Sequence, residues 1–81
     1  MIILKVRYFA RLRELTRTDE DIFHVSNDQT ISGVLERVKE KYPILAEEKN
    51  LLIALNEKYA NLNDPVRDTD VVAIFPAVSG G

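Results

Sequence analysis

The residues of this 81-residue chain with the clearest capacity for chemistry are its last two, Gly80 and Gly81. The chain has three glycines in all, and two of them stand here, after the segment Pro76-Ala77-Val78-Ser79. Residues without a Cβ thread a narrow channel and accept any φ/ψ once inside. A glycine at a chain end also leaves its carboxylate unhindered. That carboxylate resists displacement at neutral pH until one of its oxygens becomes a leaving group. Adenylation by ATP supplies the leaving group, and a sulfur nucleophile then displaces AMP to leave an anionic thiocarboxylate. On this reading Gly81 is the reactive residue and Ser79 and Gly80 are the thread that delivers it. The chain end is a reagent on a tether, as in a carrier cofactor. The blander reading is that terminal glycines fray. Their scarcity elsewhere, and the apolar strand that runs straight into the tail, argue against it.

No other chemistry-bearing residues assemble into a motif. His24 is the single histidine and reads as a surface residue of a strand. Asp19-Glu20-Asp21 lacks the spacing and the glycine of a calcium loop and reads as a solvated turn. The absence of cysteine removes disulfides, thiolate metal sites and a cysteine nucleophile together, and is compatible with a cytoplasmic home. Phosphate-loop, dinucleotide and serine-nucleophile signatures are missing. The expectation is a chain that binds no metal and no cofactor of its own.

Bulk properties agree with a carrier rather than a self-contained enzyme. Eighty-one residues make one domain. A domain of this size buries only about 60–65% of its unfolded surface, which leaves little room for a deep dry pocket. Net charge is −2, with Lys5, Arg7, Arg11, Arg13 and Arg17 set against Glu14 alone in the first 17 residues. An acidic domain is a poor nucleic-acid binder. No apolar run reaches the ~18 residues of a membrane span. The opening Met1–Arg7 interrupts its apolar stretch with charge and is a poor signal peptide.

The elements that must position the tail follow from periodicity. Residues 2–9 alternate, with Ile2, Leu4, Val6 and Tyr8 on one face and Ile3, Lys5, Arg7 and Phe9 on the other, which predicts a strand with one wet side. Ala10–Leu15 is rich in helix formers, Thr16–Asp21 reads as a loop, and residues 22–26 form a second strand with Phe23 and Val25 inward. Thr30 caps a helix whose stripe is Ile31, Val34, Leu35, Val38 and Tyr42, and Pro43 ends it. Leu51–Asn56 reads as a buried strand, Asn56-Glu57-Lys58 as a turn and Tyr59–Leu62 as a short return strand. Val71–Phe75, polar on neither face, reads as a strand in mid-sheet. The expected domain is residues 1–75, an α+β mixed sheet with one main helix packed on one face, followed by a flexible tail over residues 76–81.

This order, with its diglycine end, resembles the ubiquitin-like β-grasp fold. More closely, the chain resembles the family of molybdopterin synthase small subunits, which are sulfur carriers. Val6–Leu15 (VRYFARLREL), Thr30–Val38 (TISGVLERV) and Asp70–Gly81 (DVVAIFPAVSGG) carry the likeness, which runs over essentially the whole chain. The resemblance implies that an ATP-using adenylating enzyme, related to ubiquitin-activating enzymes, activates Gly81 and that a sulfurtransferase delivers sulfur to it. The tail then enters the large catalytic subunit, in a heterotetramer of two small and two large chains. There it gives sulfur to a cyclic pterin precursor of the molybdenum cofactor. The resemblance also implies a docking surface at Phe9, Tyr59 and Phe75, with Tyr59 standing where an aliphatic residue is usual. The alternatives are a sulfur carrier for thiamine synthesis or tRNA thiolation, a protein modifier joined to lysines through Gly81, and a plain binding module with inert glycines. Thiamine carriers are shorter and lack the Tyr8–Leu15 segment.

Overall fold

Alternation of apolar and charged side chains produces the first strand, β1 (Ile2–Tyr8), with every even residue buried and every odd one exposed. The computed structural model describes residues 1–77. After β1 come α1 (Arg11–Thr16), β2 (Glu20–Val25), α2 (Ile31–Lys41), a 3-10 turn over Pro43–Glu47, β3 (Leu51–Leu55), β4 (Lys58–Tyr59) and β5 (Val71–Pro76). The five strands form one sheet in the order β2-β1-β5-β3-β4. β5 lies at its centre, parallel to β1 and antiparallel to β3, as the mid-sheet reading of residues 71–75 requires. Its pairing extends to Pro76, opposite Leu51. The loop before it is fastened to β1: Ile3 N–H donates to the Asp68 carboxylate at 2.8 Å and Thr69 N–H to the Ile3 carbonyl at 2.8 Å.

The core lies between the sheet and α2. Leu4, Val6, Tyr8, Val25, Val72 and Ile74 from the strands meet Ile31, Val34 and Val38 from the helix, all fully buried. Each such side chain removed from water is worth roughly 1.5–3 kcal/mol. α2 starts where Thr30 Oγ1 accepts from Gly33 N–H at 3.4 Å, and stops before Pro43. The proline then opens the 3-10 turn, which the sequence reading did not anticipate. That turn drops Leu45 into the core, while Leu12 of α1 and Val66 of the loop close its ends.

Two further expectations are corrected. β3 is one-sided rather than buried throughout: Leu52 is 42% exposed, because among the described residues no element covers the sheet face away from α2. The return strand pairs only through Lys58–Tyr59, with Ala60 N–H giving the last ladder bond to Ile53. Beyond it Asn61 N–H turns to the Asp64 carboxylate at 2.9 Å, and Leu62 is left exposed.

Asp21 is also not part of a solvated turn. β2 begins at Glu20, and Asp21 lies in the same parity as Phe23 and Val25, so it points toward the helix side. Its carboxylate accepts from Tyr42 Oη at 2.6 Å, Tyr8 Oη at 3.0 Å and Lys41 Nζ at 2.9 Å. The Tyr8 and Tyr42 rings meet edge to face at 5.7 Å. The cluster joins β1, β2 and the end of α2. Partial burial pushes the Asp21 carboxyl up, but the three donors outweigh it and hold the group below the usual carboxylate range. Burial, with Asp21 as acceptor, raises the Tyr8 phenol well above its ordinary value.

The turn from β1 into α1 is strained. Leu12 N–H bonds back to the Phe9 carbonyl at 3.1 Å, and Ala10 has φ 54 and ψ −133. These are the angles of the first central residue of a type II′ turn, a place dominated by glycine. Alanine there carries a Cβ penalty on the order of 1–3 kcal/mol.

Two outcomes follow from this packing. Asp21→Asn should lower stability by about 1–3 kcal/mol at pH 7, since charge-assisted bonds become neutral ones. Because the folded carboxyl sits below its unfolded value, the stabilisation is complete above about pH 4 and disappears as the pH falls further. Urea midpoints of the two proteins should therefore converge only in acid. Ala10→Gly should raise stability by about 1 kcal/mol after glycine's own entropy cost, and so raise Tm by about 4–8 °C in thermal melts.

Candidate functional site

On the sheet face turned away from α2, one row of residues crosses four strands. Arg7 of β1 lies beside Ala73 of β5, Ala73 opposite Ala54 of β3, and Ala54 opposite Tyr59 of β4. Two alanines at the centre, flanked by larger side chains, make a depression. Phe9 closes one end. Its N–H donates to the Ile74 carbonyl at 3.2 Å, which continues the β1–β5 pairing, and its ring stacks on Phe75 with centroids 4.6 Å apart and planes 17° from parallel. Val71 lies toward the other end. The result is an open groove of about 630 Å³ lined by Arg7, Phe9, Ala54, Asn56, Glu57, Tyr59, Val71, Ala73 and Phe75.

The far wall of the groove is set by a two-residue hairpin turn. Asn56 and Glu57 have φ 51 and φ 72, so the turn between Leu55 and Lys58 is type I′. Asn56 tolerates that backbone, and its side chain secures it. Its Nδ2 donates to Asp70 Oδ1 at 2.9 Å, while its Oδ1 accepts from Val71 N–H at 2.9 Å. The turn is thereby tied to the base of β5, and Tyr59 stands opposite Ala54 in register, 81% exposed.

Phe9, Tyr59 and Phe75, far apart in sequence, therefore line one groove. Phe75 is not a core residue: Val72 and Ile74 fill that role, and Phe75 shares its face with Val71 and Ala73. Ser79, Gly80 and Gly81 lie outside the described residues. The strand that leads to them borders the groove at Phe75 and pairs through Pro76. The sequence reading missed Asn56 and Glu57 as parts of this wall and Leu52 as an apolar extension of the face opposite Phe75. Alternation within β3 was the available signal for Leu52. Nothing local marked the hairpin as a neighbour of Phe9.

The chemistry available on this face is recognition. Arg7, Glu57 and Tyr59 are the ionisable groups lining the groove, and no hydrogen bond or ion pair joins them to one another. His24 lies on the exposed side of β2, away from the groove. Among the described residues, no three His, Cys, Asp or Glu side chains come together to hold a metal ion, and no helix is long and apolar enough to cross a membrane. A wide apolar depression with two opposite charges on its rim fits a protein surface better than a small substrate.

Comparison with known proteins agrees with this geometry. The sequence profile described as the ThiS family matches residues 6–81. The molybdopterin synthase sulfur carrier subunit of Arabidopsis thaliana is 35% identical over 79 residues, covering 96% of this chain and 82% of that one. Its namesake in Escherichia coli (strain K12) is 32% identical over 83 residues, covering 98% and 100%. Among solved structures, a Pyrococcus furiosus protein described as subunit 1 of a molybdopterin converting factor superimposes with TM-score 0.90 at 29% identity, covering 96% and 100%. Small archaeal modifier protein 1 of Methanosarcina acetivorans gives 0.82 at 29%, covering 100% and 98%. Subunit 1 of the Helicobacter pylori molybdopterin-converting factor, solved in complex with subunit 2, gives 0.70 at 27%, covering 99% and 100%. The fold is thus the ubiquitin-like β-grasp, and the chain belongs to the ThiS family, together with the molybdopterin synthase sulfur carrier subunits.

Proposed function

We propose that this chain is the sulfur carrier of molybdopterin synthesis, with the Gly81 carboxylate as its working group. The observation that carries the reading is the place of β5. The central strand of the sheet borders an open apolar groove and leads directly toward the glycine-ended tail. A rigid base and an adjoining docking surface are what a tethered reagent needs if its end is to arrive at a fixed point.

The chemistry runs in three steps. An adenylating enzyme joins the Gly81 carboxylate to the α-phosphate of ATP and releases pyrophosphate. The terminal sulfur of a sulfurtransferase persulfide attacks the acyl carbon and AMP leaves; a thiol then cleaves the resulting acyl disulfide, is itself oxidised to a disulfide, and a thiocarboxylate remains. In the large synthase subunit the thiocarboxylate sulfur bonds to a carbon of the cyclic pterin precursor in place of an oxygen substituent, which leaves. Water then cleaves the acyl carbon–sulfur bond, so the sulfur stays on the pterin and the carrier returns to its carboxylate form. The chain contributes no acid, base or metal ligand, and ATP is consumed on the activating enzyme. Phe9, Phe75 and Tyr59 form the docking surface for the large subunit in a heterotetramer of two chains each. The Helicobacter pylori complex of subunits 1 and 2 supports that pairing. The cytoplasm, where ATP and reduced sulfur donors are at hand, is the compartment this chemistry suits.

A second reading has its own support. The similarity to an archaeal modifier protein favours a carrier whose activated Gly81 is also joined to lysine side chains of other proteins. Activation is common to both, and only the final nucleophile differs.

Mass spectrometry separates them. After incubation with ATP, the activating enzyme and the sulfurtransferase, the intact chain should gain the mass difference of one sulfur-for-oxygen exchange. A modifier would instead appear in higher-mass conjugates on denaturing gels. Deleting Gly81 should abolish sulfur transfer and leave the melting curve unchanged, because among the described residues the last sheet pairing is at Pro76. Full activity of the truncated chain would refute the carrier role. Phe75→Ala should weaken binding of the large subunit by at least about tenfold, as for a buried aromatic anchor, with a stability loss of only about 0.5–1.5 kcal/mol from the broken stack.

A further inference from the structure

Arg7 stands on the rim of the groove, and its neighbours decide where its charge is directed. Directly across the β1–β2 ladder is Glu20, its natural cross-strand partner. That carboxylate is engaged elsewhere, since Glu20 Oε2 lies 3.3 Å from Lys5 Nζ. Five of the eleven Lys and Arg side chains, Lys5, Arg11, Arg13, Arg37 and Lys41, form an ion pair; Arg7 is among the six that form none among the described residues, and of those six it is the one that lines the groove. Its guanidinium carbon is instead 5.3 Å from the centroid of the Phe9 ring, which is itself stacked on Phe75. The cation is thus turned away from β2 and held along the apolar rim by an aromatic face. The groove residues nearest in register, Ala73 and Val71, offer its donors no side-chain acceptor. Glu57 lines the wall formed by the far hairpin and makes no ion pair with it.

The geometry points to Arg7 as a specificity-determining contact of this face: a covering partner sets an apolar side chain over Ala54 and Ala73 and places an Asp or Glu carboxylate against the Arg7 guanidinium. The occupant is the large synthase subunit, so the inference rests on the docking reading above. The physical argument is one of desolvation. A partner that covers the groove takes Arg7 out of water, and a guanidinium buried without an acceptor is costly. A carboxylate meets it with two parallel N–H···O bonds, which an ammonium cannot reproduce. A protein with equal apolar fit but no acid at that point is rejected by the unpaired charge. Glu57 carries the opposite sign on the other wall, so the two charges fix the direction in which an acidic–apolar segment lies.

The test is a calorimetric titration of the full-length chain with the large synthase subunit of the same organism, at two ionic strengths. Arg7→Ala should weaken binding about tenfold and Arg7→Glu about 100-fold, with Arg7→Lys between Arg7→Ala and the parent chain. Arg7→Ala and Arg7→Lys should melt close to the parent, since the side chain is exposed and makes no ion pair among the described residues. Arg7→Glu sets a second carboxylate opposite Glu20 and melts lower, so its binding is measured well below its own transition. Replacing the matching acid of the large subunit by Arg should restore binding to Arg7→Glu. If the parent chain binds and Arg7→Glu binds equally well, the role of Arg7 is overturned and the docking reading stands. If Arg7→Glu weakens binding but no acid-to-Arg change in the large subunit restores it, the carboxylate contact is overturned. If the parent chain does not bind the large subunit at all, both readings fall.

Discussion

A single main helix cannot cover both faces of a sheet. α2 has 11 residues and is about 16 Å long, enough to seal the five strands on one side with help from Leu12, Leu45 and Val66. The other side is left to its own residues. Where β1 meets β2, that side is mixed: Lys5 pairs with Glu20, His24 and Arg7 face water, and Ile3 and Ile22 are exposed among them. Where β5 meets β3, it is apolar: Phe9, Phe75, Leu52, Ala54 and Ala73. The unequal division of the outer face creates the groove, and it does so beside the strand that leads to the tail.

The two sheet edges are managed differently from the face. Along β2, Arg37 donates to the His24 carbonyl at 3.3 Å and Lys41 reaches Asp21, so the side chains of α2 overhang the edge. At the opposite edge β4 has only two paired residues. Short or overhung edges discourage strand addition. Association is thereby steered to the outer face, where side chains rather than backbone do the selecting. The Asp21 cluster serves the same end from the inside. By tying β1, β2 and the end of α2 together, it keeps the helix side chains where they screen the β2 edge.

Much of this was legible in the sequence wherever a single element carried its own signal. The alternation of Ile2–Phe9 fixed both faces of β1, and Thr30, the Ile31–Tyr42 stripe and Pro43 fixed α2. The apolar faces of Val71–Phe75 marked a central strand. Parity would also have turned Asp21 inward, because it precedes Phe23 and Val25 by two and four residues; its acidic neighbours obscured that. The strained turn was invisible, because nothing in an alanine announces positive φ. The groove could not be derived from local pattern, since it depends on which strands become neighbours. Phe9, Tyr59 and Phe75 meet only because β5 inserts between β1 and β3; their pairing came from family likeness, not periodicity.

That insertion has a consequence for how the chain is made. Among the described residues β5 is the last element in sequence and the middle one in space. On the ribosome, residues 1–70 exist before any strand joins β1 to β3. Until β5 arrives the two halves of the sheet share no hydrogen-bonded ladder, and Val72 and Ile74 are missing from the core. Folding must therefore wait for long-range pairing late in synthesis. A chain released before Val71 would lack the keystone and would be left unfolded for proteolysis. Loss of the chain from any point ahead of Val71 therefore leaves no folded sheet, whereas a cut beyond Pro76 spares every strand pairing among the described residues.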